Sequence, residues 1–127
     1  MPQFDIGAVS AVEEFATSMG VMAVPDDDGA YTFEFSESGR LSMLASEDGA
    51  RVLVSLTRAV LVTDIIGKGS VMAAGGYNPV TSHMVRPGIT SASRPVLAVD
   101  CPMRGLDLPT LDAAFQTQRT AYEEVGL

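Results

Sequence analysis

Three consecutive aspartates at residues 26–28, followed by Gly29, form the densest group of potential metal ligands in this sequence. A calcium-binding EF-hand loop needs oxygen ligands at alternate positions, a glycine at its sixth position and a glutamate at its twelfth. Counted from Asp26, the fifth position is Ala30 and the sixth is Tyr31, so the pattern fails. The next residues, YTFEF, alternate between aromatic and small or polar types. The sequence therefore predicts a turn that leads into a β-strand, and no metal site.

Two glycines, Gly67 and Gly69, follow an apolar run, as in the loop that binds the phosphates of a dinucleotide. The third glycine of that fingerprint is missing, because Met72 occupies its place. We therefore interpret this segment as a flexible connection and expect no cofactor.

The sequence contains one histidine, His83, and one cysteine, Cys101. A cysteine beside a histidine can act as a nucleophile, but nothing in the sequence brings these two residues together. They also leave a zinc site short of ligands, since structural zinc is bound by four side chains. We favour a buried, unreactive cysteine and a surface or capped histidine. A small enzyme that uses the two residues stays open as an alternative.

Acidic residues outnumber basic ones by 16 to 8, which gives a net charge of −8. Because phosphate binding needs clustered lysine and arginine, this composition argues against a nucleic-acid partner. No apolar run approaches the roughly 18 residues of a membrane span, and the first residues carry acids where a signal peptide carries basic residues. We therefore expect a cytoplasmic protein with no membrane partner. Its single cysteine excludes an internal disulfide.

Apolar residues at helical spacing predict a helix at each end of the chain. The first runs from about residue 4 to 19, and one face carries Phe4, Ala8, Val12, Phe15 and Met19. The last begins near Pro109, which suits a first helical turn. Its apolar stripe extends to about Val125, before Gly126.

Alternation with a period of two residues predicts strands between these helices. They are expected at 31–35, 41–45 and 51–57 (the last continuing into 58–66) and at 94–102. A short strand that ends at Pro87 is also expected within SHMVRPGI, residues 82–89. A short helix is expected somewhere within 57–76, where glycines obscure its position. Residues 1–127 are thus predicted to form one α+β domain, with an antiparallel sheet of about five strands.

The strand pattern separates residues that face the helices from residues on the opposite face of the sheet. If the aromatic residues of YTFEF face the helices, Leu44 and Leu53 lie on the other face among polar side chains. Exposed leucines indicate a binding surface only where they belong to a larger apolar patch. We therefore treat these two as candidates for such a surface.

The order of elements resembles the class I type III secretion chaperones, also called the Tir-chaperone or CesT-like family. The resemblance is carried by AVEEFATSMGV, PDDDGAYTFEF, RLSMLASEDGARVLVSL and LAVDCPMRGLDLPTLDAAFQTQRTAYEEV. In that family a helix that ends at a glycine is followed by an acidic turn and a strand meander. An apolar strand then leads through Leu-Asp-x-x-x-Leu into the closing helix. The resemblance covers nearly the whole chain.

The resemblance implies an α+β fold, a homodimer and no catalytic activity. Members of the family hold an extended N-terminal segment of a secreted effector against apolar patches on helix and sheet. They keep that segment ready for export. Transferred to this sequence, the patches correspond to Val9 and Val12 on the first helix and to Leu44 and Leu53 on the strands.

The segment between residues 57 and 83 departs from the family pattern. Family members have a leucine-rich second helix that serves the dimer interface, whereas this segment is rich in glycine and poor in leucine. A protein of the same fold with a regulatory binding role outside secretion is therefore a second hypothesis. It predicts a protein partner that is not a secreted effector.

Overall fold

The protein is described here by a computed structural model that covers residues 3–127. Within these residues the helices are α1 (Ile6–Ser18), α2 (Ile65–Ala73) and α3 (Leu108–Glu124). The strands are β1 (Tyr31–Phe35), β2 (Gly39–Ala45), β3 (Arg51–Thr57), β4 (Gly76–Asn78), β5 (His83–Ile89) and β6 (Pro95–Pro102). Neighbouring strands are antiparallel, in the order β1-β2-β3-β6-β5-β4. The predicted α+β class is confirmed.

The sheet has six strands and not about five, because the short strand β4 pairs with β5 in a hairpin. The turn between them follows Asn78, whose side-chain oxygen accepts the backbone N–H of Val80 at 2.9 Å. Sequence reasoning assigned no strand here, since β4 has only three residues and its burial does not alternate. No helix within residues 3–127 has the length and apolarity that a membrane crossing would require.

The helix α1 begins and ends where local hydrogen bonding allows it. The carboxylate of Asp5 accepts the backbone N–H of Ala8 at 2.7 Å, which satisfies one of the free donors at a helix start. Gly20 adopts a φ of 73° just after the last turn, a conformation that glycine tolerates best. These two caps limit the helix to 6–18, slightly inside the predicted 4–19.

Aromatic side chains join both end helices to the sheet. The ring of Phe15 on α1 lies 5.9 Å from Phe33 on β1 and 5.8 Å from Phe115 on α3, measured between centroids. The ring centroid of Phe35 on β1 lies 5.3 Å from that of Phe115. Edge-on and tilted contacts at these distances add to the stabilisation from apolar burial. Phe33 and Phe35 of YTFEF therefore face the helices, which is the condition on which the outer-face assignment of Leu44 and Leu53 depends.

Two polar side chains of α3 bind the backbone of neighbouring strands deep in the core. The Nε2 of Gln118 donates to the carbonyls of Val54 on β3 and Leu97 on β6, at 2.8 and 2.9 Å. One turn later, the hydroxyl of Tyr122 lies 2.7 Å from the carbonyl of Leu56. Both side chains are fully buried. They hold α3 against β3 and β6 in one position.

Three predicted strand limits were wrong, and the structure gives a local cause for two of them. β3 ends at Thr57 without continuing into 58–66, because the side chain of Arg58 turns to bind the carbonyls of Glu37 and Ser38. β2 starts at Gly39, two residues before the predicted start at residue 41. β5 passes through Pro87, where a strand end was expected. On this side of β5, the pairing with β4 ends at Val85. Pro87 lies beyond that point, so its missing N–H leaves no hydrogen bond of the β4–β5 pairing unmade.

The segment with Gly67 and Gly69 is helical and is not the flexible connection that was predicted. It forms α2, within the expected range of 57–76. The carboxylate of Asp64 accepts the backbone N–H of Gly67 at 2.6 Å and caps the helix. This cap offsets part of the cost of two glycines in a short helix.

Gly39 is expected to be intolerant of any side chain, because it lets the β1–β2 turn approach the end of β3. Its φ is 108°, and an added Cβ would lie 2.2 Å from the carbonyl oxygen of Thr57. We expect Gly39→Ala to lower the free energy of unfolding by about 1–3 kcal/mol. Gly69→Ala is the control, since its Cβ meets open space in α2 and should stabilise the protein by up to about 1 kcal/mol. Urea unfolding of both variants checks the prediction, which equal effects of the two would contradict.

Candidate binding surfaces

Cys101 and His83 do not form a reactive pair in this structure. Cys101 is fully buried on β6, and burial raises the pKa of its thiol to about 11. A nucleophilic cysteine needs the opposite shift. Burial also lowers the pKa of His83, and no hydrogen bond within residues 3–127 joins the two side chains. Cys101 is therefore buried, as the sequence favoured.

The aspartate triplet forms a turn, as predicted. The carboxylate of Asp26 accepts the backbone N–H groups of Asp28 and Ala30 at 2.9 and 3.0 Å. Gly29 takes the positive φ that closes the turn. In the part of the chain that the structure describes, no three acidic, histidine or cysteine side chains converge as a metal site would need. The turn places its acids beside the first strand.

A groove runs between α1 and this acidic turn. Its cavity of about 330 Å³ is lined by apolar side chains and by the turn, namely Phe4, Val9, Pro25, Tyr31 and residues 26–29. Val9, one of the candidate partner-binding residues, lies half-buried in its wall. Val12 is 0% exposed in the core behind it. Val12 therefore stabilises the helix and is not available for direct contact with a partner.

Beside this groove, β1 is an edge strand of the sheet. Pro25 bridges Tyr31 at its start, but the outer edge of residues 32–35 pairs with no strand within residues 3–127. An edge strand presents unpaired N–H and C=O groups that a further extended segment can bind. The groove and the edge together can hold an extended polypeptide through its backbone and one or two apolar side chains.

Leu44 and Leu53 face each other across β2 and β3 on the side of the sheet away from the end helices. Leu44 is 43% exposed and Leu53 is half-buried. Leu53 also pairs with Asp100, which Arg86 and Arg51 contact at 2.9 and 3.8 Å. The two leucines thus form a small apolar patch with an ion-pair network along one side. The placement of both residues on the outer face matches the strand pattern.

A third surface, which sequence reasoning missed, lies between residues 60 and 84. Eight of the twelve large hydrophobic residues exposed in residues 3–127 fall in this range: Val60, Leu61, Ile65, Ile66, Met72, Tyr77, Val80 and Met84. We call this set the α2 surface. Ile65 and Ile66, at the start of the helix, are 89% and 82% exposed. Large exposed apolar patches mark interaction sites, so this stretch of the chain is a candidate for one. The run of apolar residues from Val60 was the available signal.

The fold is that of type III secretion chaperones. In a structure of the Yersinia pestis chaperone SycH with a stable fragment of YscM2, 94% of this chain matches 97% of that chain, with a TM-score of 0.64 and 11% identity. The HopA1–SchA chaperone–effector complex matches with a TM-score of 0.64 and 19% identity, over 94% of this chain and 98% of that chain. The ExsC–ExsE complex matches with a TM-score of 0.69 and 15% identity, over 97% of this chain and 96% of that chain.

No protein-family model and no curated protein sequence matches the chain. At identities of 11–19% the solved structures show the shared fold. The resemblance drawn from the order of elements is confirmed at that level.

Proposed function

We propose that this protein is a type III secretion chaperone that binds an extended N-terminal segment of a secreted effector and keeps it export-competent. The observation that carries the proposal is the match over more than nine-tenths of both chains to chaperones solved with a bound partner. We take residues 1–127 as one functional unit acting in the cytoplasm. The buried thiol of Cys101 supports a protein that acts by binding and has no catalytic activity.

The effector segment is proposed to bind along the β1 edge and to place an apolar side chain in the groove beside Val9. Backbone hydrogen bonds to an edge strand supply affinity without requiring a particular sequence. Leu44 and Leu53 offer a second apolar contact on the outer face of the sheet. We leave Val12 out of the proposed contacts because it is buried.

We further propose that the protein is a homodimer joined through the α2 surface. Homodimer interfaces are more apolar than other protein surfaces, and the α2 surface holds most of the exposed large hydrophobic side chains in residues 3–127. The sequence departs from the family pattern here because the segment is poor in leucine. Isoleucines at positions 65 and 66 supply comparable apolar area.

Replacing both exposed leucines is expected to weaken effector binding. Leu44→Asp with Leu53→Asp places two charges where an apolar contact would form, and we expect the dissociation constant to rise about tenfold or more. The measurement is retention of the effector on the tagged protein, followed by titration of the captured partner's N-terminal segment.

Gln116→Glu is the control variant, because it adds a negative charge on the exposed side of α3. It should bind as the wild type does. Equal binding by the leucine variant and the control would remove the leucine patch from the proposed site. A partner captured through a folded domain would instead favour the regulatory hypothesis.

A further inference from the structure

A second cavity lies at the end of the sheet where the β1–β2 turn faces the β5–β6 turn. Its volume is about 530 Å³, and its walls come from residues 34–40, 57–59 and 90–94. The charged side chains that line it are Glu34, Glu37, Arg40, Arg58 and Arg94. Three cations therefore face two anions, in a protein whose net charge is −8.

Arg58 is the fixed element of this cavity. Its Nη1 donates to the carbonyls of Glu37 and Ser38 at 3.0 and 2.6 Å, and its guanidinium lies 4.6 Å from the centre of the Tyr122 ring. Its Nε is buried and has no hydrogen-bond partner in residues 3–127. Burial lowers the pKa of this guanidinium, although an arginine stays protonated in proteins. The side chain is thus a cation held in one position, and because Nε is itself buried, a group entering the cavity would meet the outer nitrogens of the guanidinium.

No carboxylate within residues 3–127 lies at ion-pair distance from Arg58, and the more distant Glu123 and Arg119 act on its charge in opposite directions. Arg40 and Glu34 pair with each other at 2.6 Å and cancel. Among residues 3–127, neither Arg58 nor Arg94 has a carboxylate within ion-pair distance. The backbone of Arg94 is fixed because its N–H donates to Thr90 Oγ1 at 3.2 Å and its carbonyl accepts the N–H of Thr90 at 2.8 Å. Glu37 is exposed and stays outside any ion pair in the same residues.

We propose that this cavity binds an oxyanion, a phosphate or carboxylate group, between Arg58 and Arg94. A partly desolvated cation is stabilised when an anion shares its site, and the planar fork of arginine matches both kinds of oxyanion. The hydroxyls of Ser36 and Ser91, which also line the cavity, are suitable additional donors. This inference stands independently of the chaperone function.

The test is an NMR titration of the full chain with inorganic phosphate, against sodium chloride at equal ionic strength. We expect saturable shifts confined to the amides of residues 36–40, 57–59 and 90–94. Arg94→Gln should weaken this binding about tenfold or more, and Arg94→Lys should weaken it less, because it keeps the charge but loses the fork. Arg104→Gln, an exposed arginine in the loop after β6, should bind like the wild type.

A second titration, with acetate and with N-acetylglutamate amide, separates the sources of the oxyanion. Comparable carboxylate binding would assign the cavity to an acidic side chain of a protein partner. Binding of phosphate alone would assign it to a phosphorylated ligand. Shifts that spread over the whole surface, fail to saturate or survive Arg94→Gln unchanged would overturn the proposal.

Discussion

Exchanging Ile65 and Ile66 for glutamate is expected to convert the proposed dimer into a monomer. Both side chains lie at the start of α2, and more than four-fifths of each is exposed in the monomer. In the proposed dimer they are buried, so two carboxylates per protomer would have to be desolvated without partners. We expect the dissociation constant of the dimer to rise about a hundredfold or more, since central apolar residues dominate such interfaces.

The substitution should leave α2 itself folded. Glutamates in the first turn interact favourably with the helix dipole, and the Asp64 cap is unchanged. Ile6→Glu is the matched control, because Ile6 is also the first residue of a helix and is 88% exposed. Sedimentation velocity over a range of concentrations should show a monomer only for the α2 variant. A wild type that stays monomeric, or a variant that stays dimeric, would contradict the proposed interface.

Gln118→Met is expected to lower the free energy of unfolding by about 1–3 kcal/mol, because the two hydrogen bonds that are lost outweigh the removal of the buried Oε1, which has no partner within residues 3–127. Methionine has a volume close to that of glutamine, so it creates little cavity. It leaves the carbonyls of Val54 and Leu97 without the donor that Gln118 supplies. Buried carbonyls that lose a partner carry a desolvation cost that an exposed site would not. Urea unfolding measures the difference.

Gln116→Met is the control for this substitution, because Gln116 lies two residues earlier in α3 with an exposed side chain. It should change the free energy of unfolding by less than about 0.5 kcal/mol. A loss below that figure for Gln118→Met would show that water or a small backbone shift satisfies the two carbonyls. The account of how α3 is held against β3 and β6 would then be wrong.

Residue patterns alone predicted the parts of this fold that depend on local periodicity. The alternation in YTFEF gave β1 with its bounds, and the same period placed Leu44 and Leu53 on the outer face. The helical stripe of α1 was also found. It could not separate Val12 from Val9, because the apolar residues of a stripe include both those that form the core and those at its margin.

Features that depend on residues distant in sequence could not be predicted. Gln118 lies on the predicted apolar stripe of α3, but the stripe does not show that its side chain binds the carbonyl of Val54, 64 residues away. The oxyanion cavity depends on Arg58 meeting a turn 20 residues earlier in the chain.

The α2 surface was missed for a different reason. Glycine lowers helix propensity, and the Asp64 cap that compensates acts through a single hydrogen bond.

The most direct test of the central claim is capture of the bound partner from the protein's own host. The tagged protein is purified from the cytosol, and the proteins that accompany it are identified by mass spectrometry. The capture is then repeated with the first hundred or so residues of the partner deleted. We predict that one protein is enriched and that the deletion abolishes its capture. Recovery of no partner, or of one that binds equally well without that segment, would contradict the proposed chaperone function.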